Sequence, residues 1–165
     1  MNAGAFGGET WPQVDEVEVM LRSGVIETRP RDAFTVGYRN VVGLAPNEWF
    51  IAARFTFAVD DAEAAAAMQT MLTHRKQTQP IGAWSCGSVF TNPPGDHAAR
   101  LIEASGLKGA RRGGAVVSEK HANFIINEGS ATATDVEQLM LQVRSTVRER
   151  HGIDLHPEVR VVGEP

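Results

Sequence analysis

The chain has 165 residues, 22% charged and 42% hydrophobic, with a formal net charge of −4; this is the composition of a folded globular protein rather than a disordered one. One cysteine, Cys86, excludes a disulfide framework and fits a reducing compartment. The acidic balance offers nucleic acid no surface, and no run approaches the roughly 18 apolar residues of a membrane span.

The opening MNAGAFGGET has neither the basic nor the apolar stretch of a signal peptide, so a cytoplasmic protein is expected. Gly4, Gly7 and Gly8 crowd into what reads as a tight internal loop, whereas chain termini are usually loose and polar. Met1 is therefore expected to be an internal residue of a longer protein. Residues 14–31 read as a β-hairpin: Val17, Val19 and Leu21 alternate with Glu16, Glu18 and Met20, Ser23-Gly24 turns, and Val25-Ile26 begins the return. Residues 33–48 read as a loop carrying Tyr38 and Arg39. The alternation resumes over 49–59, with Trp49, Ile51, Ala53, Phe55, Phe57 and Val59 on one face.

Asp60, with Glu63 three residues on, reads as the capped start of a helix carrying Ala64, Met68, Met71, Leu72 and Arg75. Pro80 and Gly82 break it. The change from strands to helix sets a domain boundary here, giving units 1–59 and 60–165. Residues 96–105 predict a short helix with Ala98, Leu101 and Ile102 inward and Gly106 at its end. Residues 115–118 and 123–127 predict short strands. Thr134 with Glu137 predicts a second capping box, for a helix that buries Val136, Leu139, Met140, Val143 and Val147 and ends at Gly152. Residues 155–163 predict a final strand. The fold class is α+β: mainly antiparallel strands first, then a mixed domain.

Ser88 stands between Gly87 and the apolar pair Val89-Phe90. It acts as an acid only where its surroundings stabilise the conjugate base; otherwise it is a turn serine bonded to local backbone. Glu158 and Arg160, at i and i+2 of the expected last strand, share a face, as a working pair or as an exposed ion pair of little energetic weight. Arg39 offers the two-pronged donor suited to a carboxylate, or faces solvent. Arg75 and Lys76 favour a helix C-terminus or face a diphosphate. Asn92 can offer an amide to a polar ligand. Cys86 has no cation beside it in sequence and reads as inert packing. His121 reads as a structural hydrogen bonder. The five histidines show no metal-ligand spacing, so no metal is expected.

Taken together and in order, MNAGAFGGE, VGYRN, CGSVFTNPPGDHAARLIEASGLKG, AVVSEKHANFIIN and LHPEVRVVG resemble the UDP-N-acetylenolpyruvoylglucosamine reductase family, the flavoenzymes that complete UDP-N-acetylmuramate for peptidoglycan. The resemblance runs from Met1 to Gly163 but covers only part of that family's protein. It implies that residues 1–59 are the later part of an FAD-binding domain and 60–165 a C-terminal substrate-binding domain. It implies FAD and NADPH as cofactors and UDP-N-acetylglucosamine enolpyruvate as substrate. It also implies that this chain is a fragment that binds little FAD and is inactive alone.

In the family the serine of the GS-F-NP motif gives the proton, which falls here on Ser88. The arginine and glutamate that stabilise the intermediate fall on Arg39 and Glu158. Asn2, Gly4, Arg75 and Arg160 fall on the cofactor side, and Tyr38, Lys76 and Asn92 on the substrate side. Thr91 stands where the family often has a cation, so phosphate contact would either weaken or pass to Lys76. The short link from Tyr38-Arg39 to residue 49 matches the form without a tyrosine-bearing insertion, and Tyr38 is then not that insertion's clamping tyrosine. The alternative reading is a flavin-free UDP-sugar-binding or regulatory module derived from such an enzyme.

Overall fold

The Val-Glu alternation forms β1 (Val14–Leu21), which turns through residues 22–25 into β2 (Ile26–Pro30). The two strands are antiparallel, with Val19 opposite Glu27 and Met20 opposite Ile26. This is seen in a computed structural model that describes residues 2–4, 6–57 and 62–163. Met1, Val59 and Asp60, and the side chains of Glu63 and Ala64, lie outside the described residues.

The stretch expected as a loop contains a second small hairpin. β3 (Thr35–Gly37) pairs with β4 (Asn40–Val42), Gly37 facing Asn40, so Tyr38 and Arg39 are its two-residue turn. Arg39 takes a φ of 55°, the left-handed region. Two-residue turns normally advertise themselves with Gly or Asn at that conformation, and a Tyr-Arg turn gives no such signal.

β5 (Glu48–Phe55) pairs antiparallel with β1, giving the order β2-β1-β5. The expected single apolar face of this strand does not form. Val19 lies opposite Phe50 while Glu18 lies opposite Ala52, so Ile51 is one residue too many and the side-chain parity flips across it. Phe50 therefore turns inward, packing with Trp11, Val41 and Leu44 on the buried Val14, Val17, Val19 and Phe34. Trp49 and Ile51 are left exposed. The Trp11, Phe34 and Phe50 rings meet edge to face at centroid distances of 5.2 to 5.9 Å, a geometry that aromatic rings favour.

The helix expected after residue 60 is α1 (Ala62–Thr78), whose Met68, Met71 and Leu72 are exposed. The chain divides into two compact units, Met1–Met68 and Gln69–Pro165; the division falls inside α1 rather than at residue 60.

In the second unit β6 (Ser85–Ser88), β9 (Phe124–Asn127), β8 (Ala115–Val117) and β7 (Arg111–Arg112) form a four-stranded antiparallel sheet in that order. The two-residue β7 was not foreseen; its Arg111 and Arg112 lack any apolar alternation. α2 (Ala98–Ala104) buries Ala98, Leu101 and Ile102 as expected, with Gly106 left-handed just beyond it. α3 (Ala133–His151) buries Leu139, Met140, Val143 and Val147.

The cap of α3 is Thr132 with Asp135, not Thr134 with Glu137. Thr132 Oγ1 accepts the Asp135 N–H at 3.1 Å, and Asp135 Oδ2 accepts the Thr132 N–H at 2.9 Å. Both pairs satisfy the capping spacing, and Thr132 alone has the extended backbone, φ −83° and ψ 162°, that precedes a first turn. The final strand is also absent. Residues 155–163 make one isolated bridge, Phe90 with Pro157. Both the Glu158 and the Val159 N–H groups point at the Val89 carbonyl, at 2.8 and 3.5 Å. Successive N–H groups of a strand point opposite ways, so the backbone bends here. The same-face argument for Glu158 and Arg160 fails with it. Among the described residues no helix is long and apolar enough to cross a membrane.

Candidate active site

The residues around Ser88 are held from both sides. Ser85 lies opposite Ile126 and Ser88 opposite Phe124, so β6 carries one residue more than β9 between those pairs. Gly87 absorbs it at φ +83°, and a methyl group there would meet nothing within 4 Å. The glycine is thus required for its backbone conformation, and it leaves open space next to Ser88.

Beyond Ser88 the chain plunges inward. Val89 and Phe90 are buried, and Asn123, itself buried, clamps them. Its carbonyl accepts the Val89 N–H at 2.9 Å, Oδ1 accepts the Phe90 N–H at 3.0 Å, and Nδ2 donates to the Phe90 carbonyl at 2.8 Å. Sequence reasoning missed Asn123; the available signal was an amide at the head of the apolar run FII.

The opposite side is held by residues 156–158. Thr91 N–H donates to the His156 carbonyl at 2.9 Å and Glu158 N–H to the Val89 carbonyl at 2.8 Å. Glu158, half-buried, is thereby anchored to the residue next to Ser88. Ser88 is half-buried as well, and among the described residues no hydrogen bond engages its hydroxyl. The local backbone bond of a turn serine is not made. Phe90, Met140, Pro157 and Val159 line a cavity of about 210 Å³ bordered by Glu137 and Arg144; neither Ser88 nor Glu158 lines it.

Asn92 Oδ1 accepts the Ala98 N–H at 3.1 Å and so closes the start of α2. Asp96 adds to this start: it accepts the His97 N–H and two bonds from Arg100. The Arg100 guanidinium foremost, with the His97 N–H, holds its carboxyl well below the usual range. Thr91, in the position of the family's cation, bonds His156 through both N–H and hydroxyl.

Arg75 and Lys76 are exposed in the last turn of α1; Arg75 Nε donates to Gln79 Oε1 at 3.0 Å, and the Lys76 carbonyl accepts from Lys120 Nζ. Arg160 is exposed beyond the bend. Cys86 is exposed rather than packed, and partial desolvation pushes its thiol up, away from the thiolate that reacts. His121 corrects its expectation: Nδ1 is buried with no hydrogen-bond partner among the described residues, the ring meets Phe124 edge-on at 4.8 Å, and burial pushes its pKa down.

The first unit carries the remaining candidates. Arg39 lies with its guanidinium carbon 5.8 Å from the Tyr38 ring centroid, and Tyr38 is exposed. Asn2 is buried and engaged: Nδ2 donates to Glu9 Oε2 at 2.7 Å and Oδ1 accepts the Trp11 N–H at 3.1 Å. A methyl group on Gly4 would lie 2.0 Å from the Gly8 carbonyl oxygen, which explains the glycine crowding as close backbone packing. Among the described residues no group of three or more His, Cys, Asp or Glu side chains could hold a metal ion.

A family model described as the C-terminal domain of UDP-N-acetylenolpyruvoylglucosamine reductase matches residues 79–162. Proteins named UDP-N-acetylenolpyruvoylglucosamine reductase are similar along nearly the whole chain. The protein of Alkalilimnicola ehrlichii is 60% identical over 99% of this chain and 55% of its own length. That of Coxiella burnetii is 54% identical over 99% of this chain and 52% of its own. The crystal structure of the reductase from Thermus caldophilus superposes with a TM-score of 0.82 at 35% identity, covering 96% of this chain and 57% of that one. The chain thus spans about half the length of the curated relatives it matches.

Proposed function

The chain belongs to the UDP-N-acetylenolpyruvoylglucosamine reductase C-terminal domain family, and on that premise we propose that it carries the proton-delivery half of a flavin- and NADPH-dependent reductase acting on UDP-N-acetylglucosamine enolpyruvate. The observation that supports this reading is the anchoring of the Glu158 backbone to Val89, next to a Ser88 hydroxyl that no hydrogen bond engages among the described residues.

When bound, the flavin supplies a hydride to the enolpyruvyl double bond. A carbanion then develops beside the substrate carboxylate, and this chain's task is to stabilise it and protonate it. The Ser88 O–H donates that proton to the carbon. Gly87 leaves the approach open, and the Asn123 clamp and the bulge fix where the hydroxyl stands. Glu158 orients and polarises the enol-like carboxylate group. Arg39 donates to the same carboxylate, where fixed positive charge is most effective against charge that develops during reaction. Arg75 and Arg160 are the exposed cations available to the flavin side. The Asn2 side chain, engaged with Glu9 and Trp11, fits a flavin contact only through its backbone. Lys76, Asn92 and Tyr38 serve the UDP-sugar side. The setting is peptidoglycan precursor synthesis in the cytoplasm.

The test uses this chain joined in one polypeptide to the part of the Alkalilimnicola relative that it does not match. Ser88→Ala should leave flavin reduction by NADPH unchanged and slow reoxidation by the enolpyruvyl substrate by about 10²–10⁴-fold, the range for a positioned proton donor. Unchanged reoxidation would make Ser88 a scaffold residue. The internal engagement of Asn2 favours a second reading, a flavin-free UDP-sugar-binding module. Calorimetric binding of the UDP-sugar to the 165-residue chain without flavin would support it, and absence of heat would remove it.

A further inference from the structure

We propose that Lys120 is a positioning residue that holds Lys76 at a set place relative to Ser88. This role rests on the reading above, in which Lys76 serves the UDP-sugar and Ser88 gives the proton. Pro80 creates the need for it. Each carbonyl of an α-helix accepts from the N–H four residues on, and the Gln79 N–H donates to the Arg75 carbonyl at 2.9 Å. The next carbonyl, that of Lys76, would need an N–H at position 80, which is a proline and has none. Lys120 Nζ supplies the missing donor from 44 residues away in sequence, and an ammonium suits the negative end of a helix.

Lys120 is itself held. Ser118 is buried, and its Oγ accepts the Lys120 N–H at 3.1 Å and the His121 N–H at 3.2 Å, the bonds by which a serine fixes a turn. Ser118 N–H donates to the Phe124 carbonyl at 2.9 Å and Phe124 N–H to the His121 carbonyl at 3.0 Å, so residues 118–124 close on themselves. The same turn contains Asn123, whose carbonyl and amide hold Val89 and Phe90. One short turn therefore grips two segments: the end of α1 through Lys120, and the chain just after Ser88 through Asn123.

A substrate gripped at two places needs such a tie. The diphosphate at Lys76 and the reacting carbon at Ser88 belong to one molecule, so both are met at once only if the two protein groups stand a set distance apart. Lys76 is exposed in the last turn of α1, and helix ends fray. Without Lys120 that turn loses its tie to the Ser88 side and the grip on the diphosphate slackens. Ser88, still flanked by the Asn123 clamp, meets the carbon as before. Loss of Lys120 therefore shows as weaker binding with protonation unimpaired.

Flavin reoxidation in the joined polypeptide, followed against the concentration of enolpyruvyl substrate, tests this. Lys120→Met keeps the stem and removes the donor; it should raise the half-saturating concentration about fivefold or more and leave the limiting rate within about twofold. Lys76→Met should raise that concentration too, and the double variant should be little worse than the worse single one, because the two act through one contact. Lys120→Arg, which can still donate to the carbonyl, should restore binding. Pro80→Ala supplies the missing N–H without the tie to residues 118–124, so Lys120→Met should stay defective in that background. An unchanged half-saturating concentration in Lys120→Met, with Lys76→Met impaired, would overturn the proposal and leave the functional reading standing. No effect of Lys76→Met would remove that reading of Lys76 and the proposal with it. Rescue by Pro80→Ala would overturn the proposal and make Lys120 a helix cap only. Multiplying effects of the two lysine variants would overturn it in favour of two independent phosphate contacts.

Discussion

Among the described residues, the Gln69–Pro165 unit gathers fifteen buried apolar residues, from strands, two helices and the segment at Leu155, into one core, while the core of the Met1–Met68 unit holds four. The difference is not one of composition. The first unit has its share of large apolar residues, but Trp49, Ile51, Phe55 and Phe57 face outward. A closed core holds its residues in one arrangement, and Ser88 and Glu158 both belong to the unit that has one. Arg39, at a left-handed turn position, belongs to the other. The comparison teaches that the backbone around Ser88 and Glu158 is held by a closed core, whereas the first unit leaves several large apolar side chains exposed.

The largest effect should come from truncating the closed core. Leu139→Ala, at a fully buried site, should destabilise the second unit by about 2–5 kcal/mol in urea unfolding. Ile51→Ala on the exposed strand should stay within about 0.5 kcal/mol. Equal losses at the two sites would break the contrast. Next, Gly87→Ala forces a side chain into φ +83° and should cost about 1–2 kcal/mol, with slower substrate reoxidation because Ser88 moves. A smaller effect separates the two possible caps: Thr132→Ala should cost about 1 kcal/mol, and Thr134→Ala, outside the observed cap, less than about 0.5 kcal/mol.

The gentlest probe is acid. His121 is held neutral by burial, below its ordinary value of 6.5. The unfolded chain therefore takes up its proton first, and the second unit should begin losing stability as pH falls below about 6.5. In the first unit Arg29, followed by the Ala45 N–H, lowers the Glu48 carboxyl from 4.5 to about 2. That contribution is complete above about pH 4.5 and is lost as pH falls toward about 2. Urea midpoints at pH 7, 5.5 and 3 should show the second unit responding first. His121→Phe should remove the early response.

Much of this was legible in the residues. Helical spacing and Gly caps gave α2 and α3 with their buried faces, and alternation gave the first hairpin. What escaped did so for physical reasons. A bulge at Ile51 changes parity without leaving a turn residue to announce it. A Tyr-Arg turn defies the usual turn chemistry. Two overlapping Thr-x-x-acid pairs cannot be ranked without backbone angles. LHPEVRVVG has the alternation of a strand, yet it is bent by the two N–H groups that converge on Val89. At the proposed site, Ser88 and Glu158 were legible only through family resemblance, and Asn123, which fixes the backbone beside Ser88, left only the faint signal of an amide at the head of an apolar run. Its role depends on a partner strand 33 residues away.

The central claim is that Ser88 and Glu158 act at one site on one proton transfer. A double-mutant cycle on substrate-driven flavin reoxidation tests it most directly, with Ser88→Ala, Glu158→Gln and the pair in the joined polypeptide. The account predicts strong non-additivity, the double variant being little slower than the worse single one, as for groups that work as a unit. Multiplying effects, the double variant slowed by the product of the two, would contradict it and assign the residues to separate steps.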